Sequence, residues 1–225
     1  METLDIRGVF LTRLCIRVWV IDELVSIQVY APKLQYFHYT GPVLDSLFFP
    51  AIAPEQIHLR LELEKPIDSS FFLKLREVLN FQTNFKIKVT YRSPEKVLPV
   101  DIDVNDVRRR VPIPATTVQQ IYFLFPGESF WESAPLFDTF FSICHPKYVK
   151  ARQLRKCTMP GNTKYFWKKI VTGMIERKTI KKYWPDLEDI EIKHPVAGKW
   201  KTLTSSWICF AEQDRVKFRL TWCSP

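Results

Sequence analysis

Glycine is scarce in this chain, with 6 in 225 residues. None of them falls into a G-x-x-x-x-G-K or G-x-G-x-x-G spacing, so the loops that usually cradle nucleotide phosphates are excluded. Histidine is rarer still, at 4, and no G-x-S-x-G elbow is present. His58 lies on the polar side of an alternating segment, His38 falls between Phe37 and Tyr39, and His145 and His194 each precede a proline. Nothing sets a base beside a nucleophile, so no enzyme is expected. The 5 cysteines are odd in number and widely scattered. Cys144-His145 and Cys157 come nearest to a ligand set, but no C-x-x-C or H-x-x-x-H spacing supports them, and neither metal nor another cofactor is expected. No run reaches the roughly 18 apolar residues of a membrane span. The start, Met1-Glu2-Thr3, carries no positive leader, and Asp22 and Glu23 break the apolar stretch Val18 to Val29. These absences point to reduced thiols in the cytoplasm or nucleus and to no membrane association.

Apolar and aromatic residues, by contrast, are plentiful, at 46% and 14%. That much buriable surface argues for a packed core rather than disorder. The 16 prolines mark stops between elements more than flexible linkers. The net charge of +9 is concentrated: Lys147 to Lys201 holds fifteen Lys or Arg against five Asp or Glu. Such a segment could attract nucleic acid or an acidic partner, but a solvated helix face is the favoured explanation.

A short phrase recurs near the N-terminus: apolar, two residues, apolar, one residue, apolar. Its copies are Met1–Leu4–Ile6, Leu11–Leu14–Ile16, Leu24–Ile27–Val29 and Leu34–Phe37–Tyr39. The first and third copies, and the second and fourth, are 23 residues apart, within the roughly 20–29-residue range of leucine-rich repeats. Each copy is expected to form a strand. Gly41-Pro42 then opens a proline-punctuated connection to Pro54.

Ile57, Leu59, Leu61 and Leu63 alternate with His58, Arg60 and Glu62, as in a half-buried strand. Asp68 or Ser69 caps a helix with the stripe Phe71, Phe72, Leu75, Val78 and Leu79. Phe85, Ile87, Val89 and Tyr91 alternate with Lys86, Lys88 and Thr90 in the next strand. Strand, helix and strand in that order give parallel strands. Alternation means that one sheet face stays open to water, since strands covered on both faces read as continuous apolar runs.

Residues 94–117 read as a loop or irregular strand. The phrase returns as Val118–Ile121–Phe123 and Leu187–Ile190–Ile192, with helices expected over Ser133–Ile143 and Asn162–Tyr183 and a weakly marked strand over 148–158. Trp207–Phe210 and Val216–Trp222 suggest a terminal hairpin around Glu212-Gln213-Asp214 that caps the sheet edge. The expected fold is therefore a single α/β domain over 1–225. It is an irregular leucine-rich-repeat solenoid with an open-faced, mainly parallel sheet and a C-terminal β-hairpin cap. Residues 1–93 form the first repeats, 94–117 an irregular connection, and 118–225 the later repeats and cap.

Lys164-Tyr165-Phe166-Trp167-Lys168-Lys169 interleaves aromatics and cations as nucleic-acid platforms do, but Trp167 also lies on a helix's apolar stripe. The expected binding row is His58, Arg60, Glu62, Lys86, Lys88, Asp189 and Glu191. Its mixed signs suit a protein better than a phosphate backbone.

The segment Leu24 to Gly41, LVSIQVYAPKLQYFHYTG, resembles plant F-box/leucine-rich-repeat proteins, with the turn Ala31-Pro32-Lys33-Leu34 and the ending Tyr39-Thr40-Gly41. Further likenesses are Phe137 to Lys147 with Cys144-His145-Pro146-Lys147, Tyr183-Trp184-Pro185-Asp186-Leu187 to Ile192, and the terminal Val216 to Cys223. The resemblance implies the target-recognition part of a cullin–RING ubiquitin-ligase receptor. No F-box stands before the repeats in these residues, so docking on the ligase adaptor is expected only if one is supplied elsewhere. The partner expected is a protein target. A nucleic-acid-binding protein using the basic 147–201 segment is the rival, and a truncated family member without function is the third reading.

Overall fold

A computed structural model describes residues 2–18, 24–63, 67–81, 83–91, 102–125, 134–153, 171–176, 184–194, 197–204, 207 and 215–223. The four N-terminal copies of the phrase are strands: β1 (Glu2–Arg7), β2 (Arg13–Arg17), β3 (Leu24–Tyr30) and β4 (Tyr36–Gly41). Their spacing is the sheet register. Leu4 stands beside Ile27 and Ile6 beside Val29 in one parallel pair, and Leu14 beside Phe37 and Ile16 beside Tyr39 in another. Alternate copies go to different sheets. β1, β3 and β5 (Ser46–Phe48) form a small parallel sheet, in the order β1-β3-β5.

β2 and β4 begin the large sheet. Its other strands are β6 (Gln56–Leu63), β7 (Asn84–Tyr91), β8 (Val118–Phe125), β9 (Tyr148–Gln153), β10 (Leu187–Lys193), β11 (Trp200–Thr202) and β12 (Arg215–Trp222). The order is β11-β10-β12-β9-β8-β7-β6-β4-β2. From β2 to β9 every pairing is parallel, and from β9 to β11 every pairing is antiparallel.

The leucine-rich solenoid expected from the phrase is corrected by this topology. The protein is a mixed α/β fold built on a nine-stranded mixed sheet, with few helices among the described residues. The physical reason is that the returns differ. After β2 and β4 the chain returns through β3 and β5 of the small sheet, and only later through helices. Beyond β9 the strands alternate in direction and join the same sheet. The expected hairpin cap is also corrected: β12 sits between β9 and β10 and is paired on both sides.

Helix α1 (Ser69–Val78) starts where Asp68 accepts a hydrogen bond from the Phe71 amide at 3.0 Å, and it buries Phe71, Phe72, Leu75 and Val78. Helix α2 (Val104–Arg110) lies in the stretch expected as loop or irregular strand. Asp103 caps it by accepting from the amides of Asn105 and Asp106, and Val107 is its buried anchor. Helix α3 (Ala134–Ile143) brings Phe137 and Phe140 onto the sheet. Phe140 meets Phe123 at 5.2 Å and Phe72 at 5.1 Å between ring centres, edge to face, an arrangement that aromatic rings prefer. The helix expected over Asn162–Tyr183 lies mostly outside the described residues, with 171–176 helical.

All these side chains belong to one apolar core that runs the length of the sheet. Toward the N-terminal end the small sheet takes the place of helices. Ile27, Val29 and Leu47 join Phe37 and Tyr39, and Phe49 stands edge-on between Phe37 and Phe81 at 5.5 and 5.3 Å. At the other end the Cys144-His145-Pro146 turn is clasped by β12. The Trp222 ring stacks on His145 at 4.1 Å, and its Nε1 donates to the Pro146 carbonyl at 2.9 Å. Trp184 and Trp222 both pack on Phe141. No described helix is long and apolar enough to cross a membrane.

Candidate binding face

Strands expose alternate residues to opposite faces. In this sheet one set is buried under the helices and the other forms polar rows that cross the strands in register. One row runs Arg17, Thr40, Arg60 and Lys88 on β2, β4, β6 and β7, then Tyr122, Lys150 and Lys217 on β8, β9 and β12. The neighbouring row runs Cys15, His38, His58 and Lys86, then Gln120, Tyr148, Arg219 and Glu191 on β10.

Five of the seven side chains expected at the site meet here. His58 is beside Lys86, Arg60 is beside Lys88, and Glu62 lies 3.0 Å from the Arg60 guanidinium. Asp189 and Glu191 sit four strands further on, roughly 19 Å at ordinary strand spacing. There Glu191 is ion-paired with Arg219. The seven therefore form two groups on one face rather than one cluster.

Between and beyond those groups lie side chains that the sequence did not single out. Tyr36 stands on β4 with its hydroxyl 3.2 Å from His38 Nδ1 and 2.9 Å from His58 Nδ1, while His38 Nε2 lies 3.1 Å from Thr40 Oγ1. A hydroxyl can donate to one imidazole and accept from the other, so Tyr36 joins the two rings. Lys88 lies over the Tyr122 ring at 5.6 Å, and Lys217 lies over Tyr148 at 4.3 Å and Trp200 at 5.2 Å. The available signal was alternation: Lys217 and Arg219 read as outward on β12, but the register that joins them to β9 is not written in either strand.

The face is electropositive, and its titrating groups reflect that. Burial first, then Arg60, Arg17 and Lys88, lowers the His38 pKa from 6.5. Burial, then Lys86 and His38, lowers that of His58. Burial also lowers that of His145, which Asp186 partly opposes. A histidine whose folded pKa is depressed binds its proton more weakly than in the unfolded chain. Stability therefore falls as pH drops below 6.5, with all three acting in the same sense. Urea titrations at about pH 7.5 and about pH 5.5 are expected to show the lower midpoint at the acid value. An unchanged or higher midpoint would contradict these environments.

Cys144, part of the nearest approach to a metal set, is fully buried. Its Sγ donates to the Phe140 carbonyl at 3.3 Å, and burial pushes its thiol pKa up. Cys157 and Lys164–Lys169 lie outside the described residues. Among the described residues no group of three His, Cys, Asp or Glu side chains is placed to hold a metal ion. No family model, curated protein or solved structure matches this chain.

Proposed function

We propose that this chain is a non-catalytic protein-recognition module that offers the helix-free face of its large sheet to a protein target. The observation that carries this reading is the pair of unbroken polar rows across the sheet, held by backbone register on one side and by a continuous core on the other. A backbone held in this way need not rearrange on binding, which favours an extended partner. The likeness of Leu24–Gly41 and Val216–Cys223 to plant F-box/leucine-rich-repeat proteins supports the same reading, because in those proteins this region holds the target of a ubiquitin ligase.

The test uses immobilised chain and nuclease-treated cell extract. Proteins retained by the native sequence are expected to fall at least about tenfold with Arg60→Ser/Lys88→Ser, at unchanged circular dichroism. Equal retention by both forms would remove the face from the mechanism.

A further inference from the structure

Like charges directly opposite each other on neighbouring strands weaken the pairing that holds them. On this face Arg60 stands beside Lys88, and Lys150 beside Lys217. Departures from local rules of this kind concentrate at functional sites. The second pair is the more crowded. Lys217 is walled by the Tyr148 and Trp200 rings, which stack 5.7 Å apart. Burial first, then Lys150 and Lys193, lowers the Lys217 pKa. In the neighbouring row Glu191 is engaged by Arg219, whose guanidinium also lies 4.9 Å from the Trp200 ring. Positive charge is thus concentrated here.

We propose that Lys150, Lys193 and Lys217, set against Tyr148 and Trp200, form the specificity subsite of the face and receive the carboxylates of an acidic segment of a partner protein. This rests on the reading of the face as a protein-binding surface and names what that surface selects. A protein segment fits better than nucleic acid for two reasons. The faces of Tyr148 and Trp200 are taken by Lys217 and Arg219, whereas base stacking needs open rings. Glu62, Asp189 and Glu191 also interrupt the face, and they would repel a continuous phosphate backbone more than spaced carboxylates.

The test measures binding of the full chain to a labelled peptide of alternating glutamate and alanine, to its glutamine counterpart, and to oligouridylate at the same salt. The glutamate peptide is expected to bind at least about tenfold more tightly than the other two. Lys150→Ser/Lys217→Ser is expected to reduce that binding at least about tenfold, with no loss of thermal stability because a like-charge pair is removed. Arg109→Ser, on the exposed side of α2, is expected to leave binding unchanged. Glutamate-peptide binding that survives the double substitution, or tighter binding of the oligouridylate, overturns the proposal. If extract proteins are lost with Arg60→Ser/Lys88→Ser but the glutamate peptide never binds, the subsite falls and the face stands. If neither experiment responds, both readings fall.

Discussion

Phe140→Ala is expected to cost about 3–5 kcal/mol of unfolding free energy, the range for truncating a fully buried aromatic. Phe140 is wholly inaccessible to solvent, and its ring meets Phe71, Phe72 and Phe123 at 6.2, 5.1 and 5.2 Å. It thus ties α3 both to α1 and to the centre of β8. Removing it leaves a cavity walled by three rings that cannot all move inward, since two are fixed on α1 and the third on β8. The cost should be visible as a lower urea midpoint at unchanged slope. Phe140→Leu keeps most of the volume and should lose less. A loss under about 1 kcal/mol for the alanine variant would mean that the helices do not rest on the sheet as described.

The second large effect is expected at Gly41, where space rather than backbone angle demands glycine. A Cβ there would lie 2.6 Å from the Tyr39 hydroxyl, 3.0 Å from its Cζ and 3.1 Å from the Val18 Cβ. Tyr39 cannot retreat, being wholly buried beneath the small sheet. Gly41→Ala is expected to destabilise by about 1–3 kcal/mol, as overpacking does. The Tyr39 hydroxyl is buried with no hydrogen-bond partner among the described residues. Tyr39→Phe alone should therefore be neutral or stabilising, because it removes an unsatisfied polar atom. Combined with Gly41→Ala it should recover part of the loss, since the closest atom is gone. Additive effects in this double-mutant cycle would contradict the contact.

Local features of this fold were readable in the sequence, and connections between distant parts were not. The 23-residue spacing anticipated which residues stand side by side in β1–β3 and β2–β4, because a parallel pair preserves the phase of its apolar pattern. Strands β6 and β7 were legible from alternation alone. Helix α2 was missed because Val100-Asp101-Ile102-Asp103-Val104 mimics a period of two, which hides the Asp103 cap and the single buried Val107. β5 and β11 are three residues each, too short to show any period. The hairpin failed for a different reason. Alternation in Val216–Trp222 identifies a strand but not its neighbours, and the neighbours here are β9 and β10.

The candidate site divides along the same line. Residues two apart on one strand, such as Arg60 and Glu62, could be read as sharing a face. The Tyr36 link between His38 and His58, and the meeting of Lys150 with Lys217, depend on register between strands and became visible only in three dimensions. Another such meeting lies at the far end of the core. The Cys144-His145-Pro146 turn, Trp184 and Trp222 lie far apart in the chain and pack together around Phe141 and His145.

The insertion of β12 beside β9 also has a kinetic consequence. The strands from β2 to β9 find their partners in chain order, each closing a modest loop. The pairing of Lys150 with Lys217 instead joins strands separated by more than sixty residues. Loop entropy places that step late on the folding route. The cluster of lysines is then assembled only when the rest of the sheet already exists, so nascent chains with a partly built sheet lack the feature that would select a partner.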